Sequence, residues 1–317
     1  MKSRYIKVGI GRLCRLFGKT RQSFYEKSFH YEEQLEDEFI VVEMVSEIRR
    51  EMPKIGTHKL YQMLKGVFQN QGIKVGRDSL YRILQENKMI VKPKKRYVKT
   101  TDSKHWMKKY PNLIRGFIPT ESEQLWVADI TYIQVGDDFN FLSLITDAYS
   151  KQIMGYCLHP TLESKGCLNA LEMALSNRTK SFLLVHHSDR GTQYCCNEYV
   201  EMLQSSEIKI SMTENGDPYE NAIAERVNGI LKTEFELHQR FNNRKQAIET
   251  VKNSIATYNE KRPHMSCDYL TPAQAHTKSG TLEKRWKNKP SKFGYSLEKG
   301  FYRHAEENTN TEIDKVE

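Results

Sequence analysis

No apolar run in this sequence approaches the roughly 18 residues that a membrane-spanning helix needs. A signal peptide is missing too: MKSRYIKVGIGRLCRLFGK carries basic residues throughout and no continuous apolar stretch. Cysteine is scarce, with Cys14, Cys157, Cys167, Cys195, Cys196 and Cys267 alone, and none forms a C-x-x-C pair. That argues against a zinc ribbon or a redox motif. The adjacent Cys195 and Cys196 fit a disulfide framework poorly, so reduced thiols in a cytoplasm are the simplest reading. No segment repeats at a solenoid period. These absences point to a cytoplasmic chain with no membrane partner.

What is present is a globular composition, 38% hydrophobic and 28% charged, over 317 residues, enough for two or three domains. The net charge of +9 is unevenly spread. Residues 1–120 hold 26 Lys and Arg against 12 Asp and Glu; the remainder hold 23 against 28. A basic front half joined to a slightly acidic back half predicts that the front meets a polyanion. The run KMIVKPKKRYVKTTDSKHWMKKY, with Lys94, Lys95 and Arg96 at its centre, is too one-sided for an ordinary mixed surface.

Periodicity divides the chain into five stretches. Residues 1–52 form an N-terminal helical segment: a short helix, a break at Gly18, a second short helix from Thr20, then a longer one. Leu35, Phe39, Val42, Val45, Ile48 and Met52 make one apolar stripe on that last helix. Residues 53–90 give a helical pair. Thr57 caps the first helix and RDSLYRILQEN forms the second, with Arg77, Ser79 and Arg82 on it, as in a helix-turn-helix. Residues 91–119 read as a basic linker punctuated by Pro93, Pro111 and Pro119. Residues 120–280 alternate strands and helices, which predicts an α/β mixed sheet with flanking helices. LWVADITYIQV and FNFLSLITD pair across a GDD turn; KQIMGYCLH, SFLLVHH and IKISM are further strands. A helix is expected over 217–236, with Asp217 as N-cap, Pro218 in the first turn and Glu220 completing a capping box. In AIETVKNSIATYNEK, Ile248, Val251 and Ile255 should face inward. Residues 281–317 form a tail, basic and aromatic at first, then acidic and disordered.

Three acids stand where acids are costly. Asp129 interrupts an apolar strand, Asp189 follows SFLLVHHS directly, and Glu225 lies on a polar helical stripe with Asn221, Asn228 and Lys232. Each has an ordinary alternative: Asp189 as a helix cap, Asp129 as a buried hydrogen-bond acceptor, Glu225 as a solvated side chain. Brought together, three carboxylates would raise one another's pKa values unless a cation neutralised them. Oxygen-only ligands favour Mg²⁺ or Mn²⁺ over zinc, and a pair of such ions suits phosphodiester chemistry. No Cys or His set at ligand spacing supports zinc, so His187 reads as a group near the ligands or touching substrate.

WVADITYI, HHSDRGTQY and DPYENAIAERVNGILKTE together resemble the integrase core of bacterial insertion-sequence transposases, the OrfB type related to retroviral integrases. These carry an Asp, Asp, 35-residue spacer, Glu signature, and 35 residues separate Asp189 from Glu225. YNEKRPHMSCDYLTPAQA is similar to the segment that follows the family's core, while GTHKLYQMLKG and RDSLYRILQENKM resemble its helix-turn-helix. The resemblance runs from about residue 10 to 276 and implies a ribonuclease-H-like core preceded by small all-helical modules. It implies that Asp129, Asp189 and Glu225 hold two Mg²⁺ or Mn²⁺ ions. A water would attack first at the element end; the freed 3′-OH would then attack target DNA. By position it places Lys232 and Asn221 near DNA in the core. The residues beside Asp189 make His187 and Arg190 candidates for holding DNA or orienting that acid, and the basic front half offers Arg77, Arg82, Lys94, Lys95 and Arg96 as DNA-binding groups. Arg226 and Glu220 depart from the family pattern, outside the three acids. The implied partners are terminal inverted repeats, target DNA, further copies of this chain, and an upstream reading-frame product with its own helix-turn-helix and leucine zipper, often joined by frameshift. A nucleoid-associated place in the cytoplasm follows. Two other readings stand beside this one: a non-catalytic DNA-binding regulator, motivated by the basic residues 53–109, and a nuclease on RNA·DNA hybrids, resting on fold analogy.

Overall fold

The computed structural model describes residues 9–91, 106–181, 183–214 and 221–285. The chain divides into two compact units, residues 1–95 and 96–317. Lys94, Lys95, Arg96, the capping-box residues Asp217, Pro218 and Glu220, and the tail beyond 285 lie outside the described residues.

The first unit is helical. α1 (Ile10–Leu16) stops before Gly18, which takes φ 62°. Thr20 then caps a helix by accepting from the Ser23 amide at 3.1 Å. The two helices expected after Gly18 are one, α2 (Arg21–Glu51), because no Pro or Gly interrupts these 31 residues. Its expected stripe is also shorter. Val41, Val45 and Met52 are buried, but Leu35 and Phe39 are 47% and 64% exposed. Val45 and Met52 follow Val41 by four and eleven residues, and Leu35 and Phe39 lie about a third of a turn off that line. α3 (Thr57–Gln71) starts after Gly56, so Thr57 is its first helical residue rather than its cap. It ends on Gly72 in the left-handed region, φ 73°, where a side chain would be strained. α4 (Arg77–Glu86) follows. Leu60, Leu64 and Phe68 of α3 and Leu80, Ile83 and Leu84 of α4 are buried. Arg49 of α2 ties the helices together by donating to the Met89 carbonyl at 2.6 Å and the Ile55 carbonyl at 3.4 Å.

The second unit is built on one mixed sheet, in the order β3-β2-β1-β4-β5. β1 (Leu125–Val135) and β2 (Asp138–Asp147) form a hairpin, with Gly136 at φ 60° in the first loop position, the geometry that matches strand twist. β3 (Ile153–His159) pairs antiparallel with β2. β4 (Val185–Ser188) and β5 (Lys209–Met212) continue parallel from β1. Only β2 opposes the rest, which is the ribonuclease-H-like arrangement. β4 begins later than the expected SFLLVHH strand: Leu184 is buried, but Leu183 is 61% exposed and precedes the pairing.

One face of the sheet is covered by α5 (Ser164–Ser176) and α7 (Asn197–Ser205), around Trp126, Ala128, Leu171 and Tyr199. The helix α6 (Thr192–Cys195) adds Tyr194 to the same core. On the other face Leu125 and Val127 meet Ala224 of α8 (Ala222–Glu234). Expected from 217, this helix begins after Asn221, whose side chain donates to the Ala128 carbonyl at 2.9 Å and so fastens the N-terminus of α8 to β1. Its other end is fixed by Arg262, 1% exposed, which donates Nε and Nη2 to the two Glu234 oxygens at 2.9 and 2.8 Å. Arg262 follows α9 (Arg244–Lys261), on which Ala247, Val251, Ile255 and Tyr258 are buried. Ile248, expected inward, is 43% exposed because it sits one residue off that stripe.

β3 passes so close to α5 that a Cβ on Gly155 would run into the Ala170 carbonyl oxygen and stand 2.7 Å from the Ala174 amide nitrogen. Backbone cannot yield as a side-chain tip can. Gly155→Ala is therefore expected to lower the unfolding free energy by about 3 kcal/mol, read from the urea midpoint at unchanged m-value; a loss below about 0.5 kcal/mol would show that the helix simply shifts.

Candidate active site

The acids are positioned by strand register. The parallel β1–β4 pairing runs from Leu125 opposite Val185 to Val127 opposite His187. Two residues further along each strand stand Asp129 and Asp189, at the same level of the sheet. Strand alternation turns Asp129 to the α8 face, with Val127. There the Asn228 amide donates to Asp129 Oδ2 at 2.7 Å. Asn228 is three residues after Glu225 and Asn221 is four before it, so both helical neighbours of Glu225 touch β1 at Ala128 and Asp129.

The electrostatics join the three acids. The Asp129 pKa is pushed up from 3.8 to about 7, first by burial, then by the charge of Asp189; the hydrogen bonds from Asn228 and the Ile130 amide oppose this, and the charge of Glu225 adds to it. Glu225 itself is exposed, in the first turn of α8. Carboxylate oxygens are the donors that a hard divalent cation takes, and a cation would relieve the repulsion at Asp129. In this sense the donor chemistry fits. Among the described residues, however, no three His, Cys, Asp or Glu side chains stand closely enough to hold one ion. The two aspartates share a level, and Glu225 reaches Asp129 through its charge.

Asp189 also does what a turn acid does. Its Oδ1 accepts from the Gly191 amide at 3.0 Å, leading the chain into α6. Gly191 has φ −64°, so backbone freedom is not why glycine stands there. Space is: a Cβ would lie 3.0 Å from Asp189 Oδ1 and 3.1 Å from Gln193 Oε1.

Two residues expected to meet DNA are buried in this structure. His187 is 0% exposed, with Nδ1 2.8 Å from Ser211 Oγ, because β4 carries it between β1 and β5. Asn221 is 7% exposed and spent on the Ala128 carbonyl. His187 thus joins β4 to β5, and Asn221 joins α8 to β1. Lys232 Nζ lies 3.8 Å over the Tyr132 ring, a cation–π contact along β1 from Asp129. Arg190 is half-buried beside Asp189. On α4, Arg77 pairs with Asp78 at 2.9 Å, and Arg82 with Glu38 at 2.9 Å and Glu86 at 3.3 Å, so their charge is partly answered within the first unit.

Sequence reasoning missed three supports. Asn228 appears there only as a stripe neighbour, although its spacing from Glu225 signals the contact. Arg262, directly before a proline, gives no sign of reaching Glu234. The third is a buried network. Glu123 accepts from the Thr179 amide at 3.0 Å and the Lys180 amide at 2.7 Å, and lies 3.2 Å from His276 Nε2. These partners are more than fifty residues away in sequence.

The integrase core domain family matches residues 119–218, and a second integrase core domain family matches 206–272. The transposase for insertion sequence element IS629 of Shigella sonnei is 30% identical over 220 residues, 69% of this chain and 74% of that protein. The chain belongs to the insertion-sequence transposases. An uncharacterized 31 kDa protein of insertion element IS600, also from Shigella sonnei, is 35% identical to this transposase over 82% of the chain and 96% of its own length. The transposase InsF of IS3A from Escherichia coli K12 is 32% identical over 53% of the chain and 58% of its own length. The HTLV-2 integrase catalytic core in complex with magnesium aligns to 49% of the transposase and 97% of that core, at 20% identity and a TM-score of 0.40.

For the transposase, Asn228→Ala removes the hydrogen bond that orients the Asp129 carboxylate and lowers its pKa. If Asp129 takes part in strand transfer, the rate is expected to fall about 10- to 100-fold, with the acidic limb of the pH–rate profile moved to higher pH. An unmoved limb would make Asn228 a packing residue only.

Proposed function

We propose that this transposase cuts the ends of its insertion element and joins them to target DNA by metal-dependent phosphodiester chemistry at Asp129, Asp189 and Glu225. The observation that carries the reading is the charge coupling of these three acids, from β1, the end of β4 and α8, at one side of the sheet. Asp129 and Asp189 would hold Mg²⁺ or Mn²⁺ from the sheet and Glu225 would complete the set from α8. Bound there, two such ions would polarise the scissile phosphate and activate the attacking oxygen, a water first and the freed 3′-OH second. The chain's own groups prepare the site. Asn228 fixes the Asp129 carboxylate, Gly191 leaves room for that of Asp189, and Asn221 and Arg262 hold the two ends of α8. Lys232 and Arg190 would meet phosphates flanking the reacting one.

The front half would bind the terminal repeats, with a strongly salt-dependent affinity. Two DNA ends require two active sites, hence a homo-oligomer on DNA, and the upstream reading-frame product would join it by fusion or association. The test is purified transposase, alone or fused to that product, with labelled element-end DNA and Mg²⁺. Nicking and joined products are expected; DNA binding without strand transfer in every metal would overturn the proposal.

A further inference from the structure

On the side away from β2, the pairing of β1 has a gap. β4 pairs with β1 only from Leu125 to Val127. Further along, the Phe241 amide donates to the Gln134 carbonyl at 3.0 Å, and the Gly136 amide donates to the Phe241 carbonyl at 2.8 Å. Among the described residues no strand pairs with this side of β1 between those points, so residues 128–133 form an open edge that includes Asp129. Tyr132 stands on the same edge, about 10 Å along from Asp129 at the usual strand rise. It is 43% exposed, between the buried Thr131 and Ile133. Phe139 of β2 lies diagonally across the hairpin, opposite Gln134, and is 50% exposed. The Tyr132 and Phe139 rings meet edge to face, with centroids 5.3 Å apart and planes at 80°.

A diagonal aromatic pair steadies a hairpin without any ligand. Two further features point to one. Lys232 of α8 sets its Nζ 3.8 Å over the Tyr132 ring, so a cation stands against the pair. The acid at the hairpin turn, Asp137, is paired with Arg240 at 2.9 Å, which mutes its repulsion of a polyanion. Exposed rings beside a cation suit single-stranded nucleic acid, because the cation meets phosphate and any base can stack on a ring. A base within a duplex is already stacked on its neighbours, so the ring would receive an unpaired one. The 10 Å from Asp129 corresponds to about three base steps of B-DNA. We propose that Phe139, backed by Tyr132 and Lys232, is a stacking site for an unpaired base of the DNA, a few nucleotides from the reacting phosphate. Tyr132 is a positioning residue, holding both the Phe139 ring and the Lys232 ammonium. The stacking site depends on the proposed function, in which DNA lies at the three acids.

The test compares element-end DNA that is fully paired with ends carrying one mismatch among about five terminal base pairs. Each is bound by the full chain in Mg²⁺ with no target DNA present. A mismatch at one of these positions is expected to tighten Kd about tenfold. Phe139→Leu keeps apolar bulk on the hairpin and removes the ring. It should bring the ratio of the two affinities to about one, with binding to paired ends within a few fold of the parent. Phe139→Trp should keep the preference. Mismatched ends that bind no tighter at any position, a preference that survives Phe139→Leu, or its loss in Phe139→Trp would overturn the proposal. So would an effect of Phe139→Leu confined to binding of the upstream reading-frame product. Joining to target DNA is followed separately: ends bound with the preference but never joined would fail the active-site reading and leave the stacking site standing.

Discussion

Asp189→Asn is expected to cut strand transfer by the transposase at least about a thousandfold, equivalent to roughly 4 kcal/mol of transition-state stabilisation, while DNA binding and fold stay intact. The substitution keeps size and shape, and its amide oxygen still accepts from the Gly191 amide, so the turn into α6 survives. What it removes is the negative charge beside Asp129 that a cation would share. The pKa of Asp129 should drop in consequence, because Asp189 is the second-largest cause of its elevation. Rates by single-turnover joining of a precut end, with binding measured in parallel, separate chemistry from affinity. Activity within tenfold of the parent would remove Asp189 from the mechanism and leave it as a turn residue.

Asp129→Asn should abolish joining to the same degree and yet stabilise the metal-free protein. Its carboxyl titrates at about 7 when folded, against 3.8 as the ordinary value. A raised acid pKa means that the folded state binds the proton more tightly than the unfolded one. The penalty for ionising Asp129 is absent below about pH 4, grows between 4 and 7, and is complete above 7. Asparagine never ionises, so the gain should appear only as pH rises through that window, on the order of 4 kcal/mol at pH 8. Thermal unfolding from pH 5 to 8 in chelator reads it as a Tm difference that widens with pH. Divalent metal should reverse the order by stabilising the parent alone. A Tm difference constant with pH would mean that Asp129 carries no such burden.

The candidate acids were more legible in the sequence than the packing around them. Asp129 betrays itself by interrupting LWVADITYI, and Glu225 by sharing a helical stripe with Asn221, Asn228 and Lys232; periods of 2 and 3.6 suffice for both. The level of Asp189 follows from where β4 ends, but the start of β4 does not, since Leu183 and Val185 are equally apolar and only pairing separates them. The stripe on α2 is hard to place from sequence because Leu35 and Phe39 lie about a third of a turn from the buried Val41 and Val45, which widens the apolar pattern. The close fit of Gly191 beside the Asp189 carboxylate, where a Cβ would lie 3.0 Å from Oδ1, has no local sequence signal. His187 could not be told from a surface histidine until β5 covered it and Ser211 met its ring. The Glu123–His276 and Arg262–Glu234 contacts join distant segments, and no local pattern announces them.

Glu225 gives the most direct test, because the account requires an exposed side chain to act with two acids of the sheet. The measurement is joining of precut element ends in Mg²⁺ by Glu225→Gln transposase, with end binding followed at the same salt. The account predicts joining reduced at least about a thousandfold and end binding within a few fold of the parent. Glu225→Gln protein that joins ends at the parent rate would contradict it.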